Sequence, residues 1–191
     1  PDSKSHVAHM DSGDFYGSEQ SVTIQKSGHV NVRFVNENGT PTVLKRLKVH
    51  TGEVIDTSAM SIAKLREFFI RELADAKQQD ILFSVHLKAT MMKVSDPIIF
   101  GAVVSAFYQE LFEKYATEFD ELNISPNNGM SDLERKITKL PQDMQVAIRS
   151  DIQSIYERQA DLAYVDSHKG ITNLHVPSNI IIDASIPAAI R

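Results

Sequence analysis

Two charged side chains stand where apolar runs end. Ile81-Leu82-Phe83-Ser84-Val85 passes through His86 and Leu87 to Lys88, and Ile180-Ile181-Ile182 stops at Asp183. Runs this short suit buried strands and are too short for typical helices. In open α/β folds ligands bind beyond the carboxyl ends of strands, so both side chains sit where a strand delivers them to a crevice. An ammonium there, flanked by apolar residues, is partly desolvated, which makes the neutral amine easier to reach. Lys88 could pair with a substrate carboxylate, transfer a proton or form a Schiff base. A packed stem with a solvated head explains it as well. Asp183 is open in the same way, as a metal ligand or as a cap for the segment that follows. Spacing alone does not decide either case.

Other polar residues offer less. Asp96-Pro97 opens a new apolar run, with Asp96 suited to an N-cap and Pro97 to the first helical turn. Thr90, Lys93 and Ser95 lie in the same stretch, where loop hydrogen bonding accounts for them, and Met91 and Met92 read as packing. His6 and His9 would make a metal pair on a helix, but Asp11, Ser12 and Gly13 follow, and a surface loop is expected. Lys45, Arg46, Lys48 and His50 fit either a phosphate site or a solvated strand face. No Gly-rich phosphate loop of either common spacing is present.

The elements that must position these residues read as follows. Residues 1–60 form a loop and then an antiparallel β-meander. Val22 and Ile24 alternate with polar neighbours, as do Val30, Val32 and Phe34. Asn38-Gly39 signals a hairpin turn, Val43 to Val49 returns, and Val54-Ile55 follows. Residues 61–191 form an α/β unit. A helix over 61–78 carries Ile62, Leu65, Phe69, Leu73 and Ala76 on one face, with Glu67 and Arg71 as an i,i+4 pair. Strand 81–87 follows, then a long helix over 97–117 whose apolar stripe is wide enough to imply burial on more than one side. Ser131 and Glu134 read as a capping box, and Pro141 separates that helix from the next, marked by Met144, Ile148, Ile152 and Ile155. Leu162–Val165 and Ile180–Ile182 read as strands. The expected fold is therefore α/β: a mixed sheet with packed helices and an N-terminal antiparallel meander.

Bulk properties narrow the function. Hydrophobic residues make up 42% and charged residues 24%, values of an ordinary globular protein. The formal net charge is −5 with no basic block, which argues against nucleic acid and anionic membrane surfaces as partners. No cysteine is present, which removes disulfides and thiolate chemistry and is compatible with a reducing cytoplasm. No apolar run approaches a membrane span.

The stretch HLKATMMKVSDPIIFG (86–101) resembles the catalytic-lysine segment of the monomeric-type NADP-dependent isocitrate dehydrogenases. GITNLHVPSNIIIDASIPAAIR (170–191) resembles that family's metal-aspartate segment, and the likeness runs over the whole chain. One departure is visible: a His usually follows the Phe-Gly, and Ala102 stands there. The resemblance implies an isocitrate/isopropylmalate dehydrogenase-like fold and NADP-dependent oxidative decarboxylation of isocitrate to 2-oxoglutarate. It also implies NADP bound without the usual dinucleotide fold, and Mg²⁺ or Mn²⁺. Lys88 is implied in the acid–base steps on the substrate hydroxyl, and Asp183 as a metal ligand whose companion carboxylates lie beyond Arg191. The expected partners are isocitrate and the remainder of a parent chain, with no nucleic acid and no membrane, in the cytoplasm. Since family chains are several times this length, residues 1–191 are expected to be part of the large domain of a longer enzyme and inactive alone. Without the resemblance, a non-catalytic α/β subdomain or a small anion-binding module fits. If both strands lie in one sheet and run the same way, Lys88 and Asp183 should emerge at one rim.

Overall fold

The periodic apolar face at 62–76 folds into the helix that anchors one half of the molecule. The computed structural model describes residues 3–85 and 94–161, so Lys88, Asp183 and the strands expected at 162–165 and 180–182 lie outside the described residues. The chain divides into two compact units, residues 10–61 and the rest. The folded chain is α/β, with antiparallel strand pairs and packed helices.

In the first unit a short helix, α1 (Phe15–Ser18), is capped by Asp14, whose carboxylate accepts from the Gly17 N–H at 3.0 Å. Four strands follow: β1 (Gln20–Thr23), β2 (Gly28–Val35), β3 (Pro41–Val49) and β4 (Val54–Thr57). The strands expected at 21–55 are present and antiparallel, but their pairing is nested. β2 pairs β3, and outside them β1 pairs β4 with Gln20 opposite Thr57. The Ile24 N–H donates to Glu53 O at 2.8 Å and the Gly52 N–H to Ile24 O at 2.9 Å, so the two pairs form one interrupted ribbon. At its tip the Asn36 side chain accepts from the N–H groups of Asn38 and Thr40, while Gly39 takes φ +77°. That is a three-residue hairpin loop with glycine in the left-handed position, a conformation costly for a residue with Cβ. Leu44 is the extra residue of a bulge, because Val32 faces Lys45 while Arg33 faces Val43. Within these strands only Val49 is buried, and Lys45, Arg46 and Lys48 are exposed, as is His50 beyond β3.

The second unit holds the hydrophobic core. Helix α2 (Ile62–Gln79) buries Leu65, Phe69, Leu73 and Ala76 of the face read from the sequence, while Ile62 at its start is exposed. Arg71 pairs not with Glu67 but with Glu72, at 2.9 Å. The helix ends on Asp80 at φ +55°, with Asp80 N–H to Lys77 O at 3.2 Å and Ile81 N–H to Ala76 O at 3.0 Å. These two bonds make a Schellman ending, with Asp in the place usually given to Gly. The chain leaving it forms no strand over 81–85; Phe83 makes only an isolated bridge.

The long helix expected over 97–117 is three: α3 (Ser95–Phe107), α4 (Gln109–Lys114) and α5 (Ala116–Glu121). The breaks fall at Tyr108 (φ −105°, ψ 30°) and Tyr115 (φ −110°, ψ 27°). Hydrogen bonds still run through both, Tyr108 N–H to Val104 O at 2.9 Å and Phe119 N–H to Tyr115 O at 2.9 Å, so these are bends. A straight helix cannot keep so wide an apolar stripe in contact with one core; bending at the two tyrosines lets it wrap. Asp96 lies inside the first turn of α3, because the helix begins a residue earlier than the expected cap. Asn123 at φ +52° ends α5 with a second Schellman pair, Ile124 N–H to Phe119 O and Asn123 N–H to Asp120 O.

A 3-10 turn over Pro126–Asn128 leads into α6 (Gly129–Ile137), and Pro141 precedes α7 (Gln142–Arg158). The expected capping box does not form, since α6 starts at Gly129 and Ser131 is already inside it; Glu134 instead pairs with Arg149 at 3.3 Å. Leu111, Leu133, Ile137 and Ile148 are fully enclosed, and burying each such side chain is worth about 1.5–3 kcal/mol.

Helix α3 meets the 3-10 turn at Gly101. A Cβ there would stand 2.8 Å from Asn127 Cγ and 3.0 Å from its Cα. Gly101→Ala gains about 0.5–1 kcal/mol of helix propensity but incurs an overpacking cost of roughly 1–3 kcal/mol. The expected outcome is a lower urea midpoint with unchanged slope. A raised midpoint would show that Asn127 moves aside freely.

Candidate functional site

The residues with the strongest chemical reading, Lys88 and Asp183, lie outside the described residues, and the structure describes the stems from which they extend. The Phe83 N–H donates to the Asp161 carbonyl at 2.8 Å, so the segment entering 86–93 and the segment entering 162–191 run side by side at that point. The Phe83 ring sits edge-on to Phe69, with centroids 6.4 Å apart, which fixes this junction on α2. From Phe83 an extended chain carries Lys88 at most about 17 Å, whereas Asp183 has a reach of roughly 75 Å from Asp161. Chain length therefore bounds the position of Lys88 more tightly than that of Asp183. The common rim expected for Lys88 and Asp183 falls outside the described residues.

On the far side of the lysine segment, α3 begins with Ser95 and Asp96. Asp96 is 7% exposed, with the Ser95 hydroxyl 3.5 Å from its Oδ1. A carboxylate in a first helical turn is favoured by the exposed N–H groups there. Ala102, which stands where the resemblance leads one to expect a His, is 3% exposed and packed inside the second unit.

The groups whose proton affinity is perturbed pair with one another. The Tyr108 hydroxyl donates to the Tyr156 hydroxyl at 2.9 Å; burial first, and this bond second, hold the Tyr108 phenol well above its ordinary range. Lys114 Nζ and the Tyr115 hydroxyl both meet Asp151 Oδ2, at 2.6 and 2.7 Å. These contacts, Lys114 foremost, hold the Asp151 carboxyl below its usual value. Arg158 grips Glu110 with two nitrogens, at 3.2 and 2.8 Å. A depression beside this pair is lined by Ile70, Leu73, Ala74, Phe107 and Ile155, and the two charges at its rim are committed to each other. Asp132 is held low by Lys136, with Asn128 and Arg135 adding to it. Among the described residues no buried side-chain polar atom lacks a partner. These groups fasten helices and offer nothing uncommitted to a substrate.

One grouping differs. His6 lies in the loop the sequence leads one to expect, and its ring meets Glu72 and Asp75 of α2, with the ligand-type atoms all within 4.8 Å of one another. Sequence reasoning missed this set because the carboxylates, one turn apart, look like a solvated helix face. The only signal was the histidine itself.

The family model for monomeric isocitrate dehydrogenase matches residues 1–191. Isocitrate dehydrogenase (NADP) 2 of Colwellia maris is 53% identical over 191 residues, covering 100% of this chain and 26% of that protein. Isocitrate dehydrogenase (NADP) of Azotobacter vinelandii is also 53% identical, with the same coverage. Isocitrate dehydrogenase (NADP) 2 of Mycobacterium tuberculosis is 44% identical over 190 residues. The chain spans about a quarter of the length of the curated relatives it matches.

Proposed function

The chain belongs to the monomeric isocitrate dehydrogenase family, and on that premise we propose that it forms part of the large domain of an enzyme that oxidatively decarboxylates isocitrate to 2-oxoglutarate. The observation that carries this reading is identity of 53% to NADP isocitrate dehydrogenases over the chain's whole length. Lys88 serves the proton transfer at the substrate hydroxyl through Nζ. An amine at the end of an apolar run, where the sequence puts Lys88, is of the kind whose neutral form is easier to reach. Asp183 supplies a hard oxygen donor, the ligand type that Mg²⁺ and Mn²⁺ prefer. NADP supplies the hydride acceptor and the divalent ion a Lewis acid for charge building on the substrate oxygen. The adjacency of Phe83 and Asp161 supports a common origin for the two site-bearing segments. The absence of cysteine fits a cytoplasmic setting.

The test is a steady-state assay of the full-length protein that contains this chain. NADPH formation should require isocitrate and either Mg²⁺ or Mn²⁺, and should vanish with chelator and return with metal. A full-length protein that reduces NADP with other 2-hydroxy acids and ignores isocitrate would overturn the reading.

A further inference from the structure

We propose that His6, Glu72 and Asp75 form a surface site for a zinc-class divalent ion that ties the N-terminal segment to α2. The His6 Nδ1 lies 2.9 Å from the Lys4 carbonyl. A carbonyl only accepts, so Nδ1 carries the proton, and in the neutral ring Nε2 keeps its lone pair. That lone pair faces Asp75, with Nε2 to Oδ2 at 3.9 Å. A ring nitrogen fixed by a carbonyl so that the other can bind metal is the orientation ligating histidines adopt. Glu72 and Asp75 stand one turn apart on α2 and so share a face.

Both carboxylates are also held by neighbours on α2. The Gln79 amide donates to Asp75 Oδ2 at 2.7 Å, and Arg71 Nε donates to Glu72 Oε1 at 2.9 Å, leaving lone pairs on both groups. Lys4 Nζ donates to the Gln79 carbonyl at 2.9 Å, which holds the segment carrying His6 along the end of the same helix. Ligand atoms within 4.8 Å of one another need a modest contraction, since tetrahedral bonds of about 2.0–2.2 Å place donors roughly 3.4 Å apart. His6 and Asp75 side chains are 45% and 39% exposed, so rotation can supply it and water can complete the shell. One imidazole with two carboxylates suits Zn²⁺ or Co²⁺ better than Mg²⁺ or Ca²⁺, which prefer oxygen alone.

The experiment uses the full-length protein carrying Asp183→Asn in excess Mg²⁺, so that the site proposed for Mg²⁺ or Mn²⁺ is weakened and what remains of it is filled. Zn²⁺ is titrated in competition with a chromophoric chelator, and Co²⁺ is added separately to read its visible bands. One equivalent should bind, with tetrahedral Co²⁺ absorption, and His6→Ala should abolish both signals. Asp75→Asn and Glu72→Gln should each weaken binding at least tenfold while the helical circular dichroism is kept. His9→Ala should leave the equivalent in place. Binding unchanged in His6→Ala and in Asp75→Asn overturns the site, as does loss of the equivalent in His9→Ala alone. No binding by the unsubstituted ligand set at millimolar Zn²⁺ overturns it too.

Discussion

Lys88→Met in the full-length enzyme should lower kcat by about 10²–10⁴-fold, the usual share of a positioned acid–base group, while KM changes by a few-fold. Methionine keeps a long flexible stem and discards the ammonium, so packing survives and the proton-transfer atom does not. If Lys88 merely held a substrate carboxylate in ground and transition states alike, KM would carry the loss and kcat would not. If its stem only packs, neither moves. The split between kcat and KM therefore separates the three readings of this residue, and an unchanged kcat would return Lys88 to a packing role. The helical circular dichroism should match the parent, since the enclosed side chains Leu111, Leu133, Ile137 and Ile148 are unchanged in the variant.

The isolated 191-residue chain should show no isocitrate-dependent NADPH formation above the enzyme-free blank, with Mg²⁺ or Mn²⁺ present. One proposed metal carboxylate and one lysine cannot hold a triply charged substrate in a near-attack geometry or exclude water from it. The chain spans 26% of its relatives' length, and on the proposed reading the opposing wall of the site comes from outside residues 1–191. Circular dichroism must show folded helices in the same sample, so that lost activity is not lost structure. Robust turnover by this chain alone would sink the idea that the site is shared with other parts of the enzyme.

Where a single stripe faced a single core, the sequence was readable. α2 and α7 follow their Leu65–Phe69–Leu73 and Ile148–Ile152–Ile155 ridges, and the structure buries those residues. The α3–α5 region misled because breadth of an apolar face tells how much is buried and not whether one straight helix buries it. The bends at Tyr108 and Tyr115 carry no Pro or Gly to announce them. Capping signals failed at Ser131 because Gly129 and the preceding 3-10 turn start α6 earlier. Alternation located the strands of 20–57 but could not choose partners, since a period of two identifies a face and leaves the neighbour open. The His6 set depends on a contact between a loop and a helix far along the chain, which no local pattern encodes. Lys88 and Asp183 were legible through motif resemblance, and local physics alone left them undecided.

The nested pairing of β1 with β4 around β2 with β3 sets an order of assembly. Joining Gln20 to Thr57 first would close the whole intervening chain as one loop. Once β2 and β3 have zipped back from the turn at Asn36–Thr40, only residues 24–27 and 50–53 remain to be spanned. Loop-closure entropy grows with the logarithm of length, so this difference favours the second route by about 1–2 kcal/mol. The ribbon therefore nucleates at its tip and closes toward its base, with each pair lowering the contact order of the next. Its outermost pair, farthest from the tip, forms last and is the first to open.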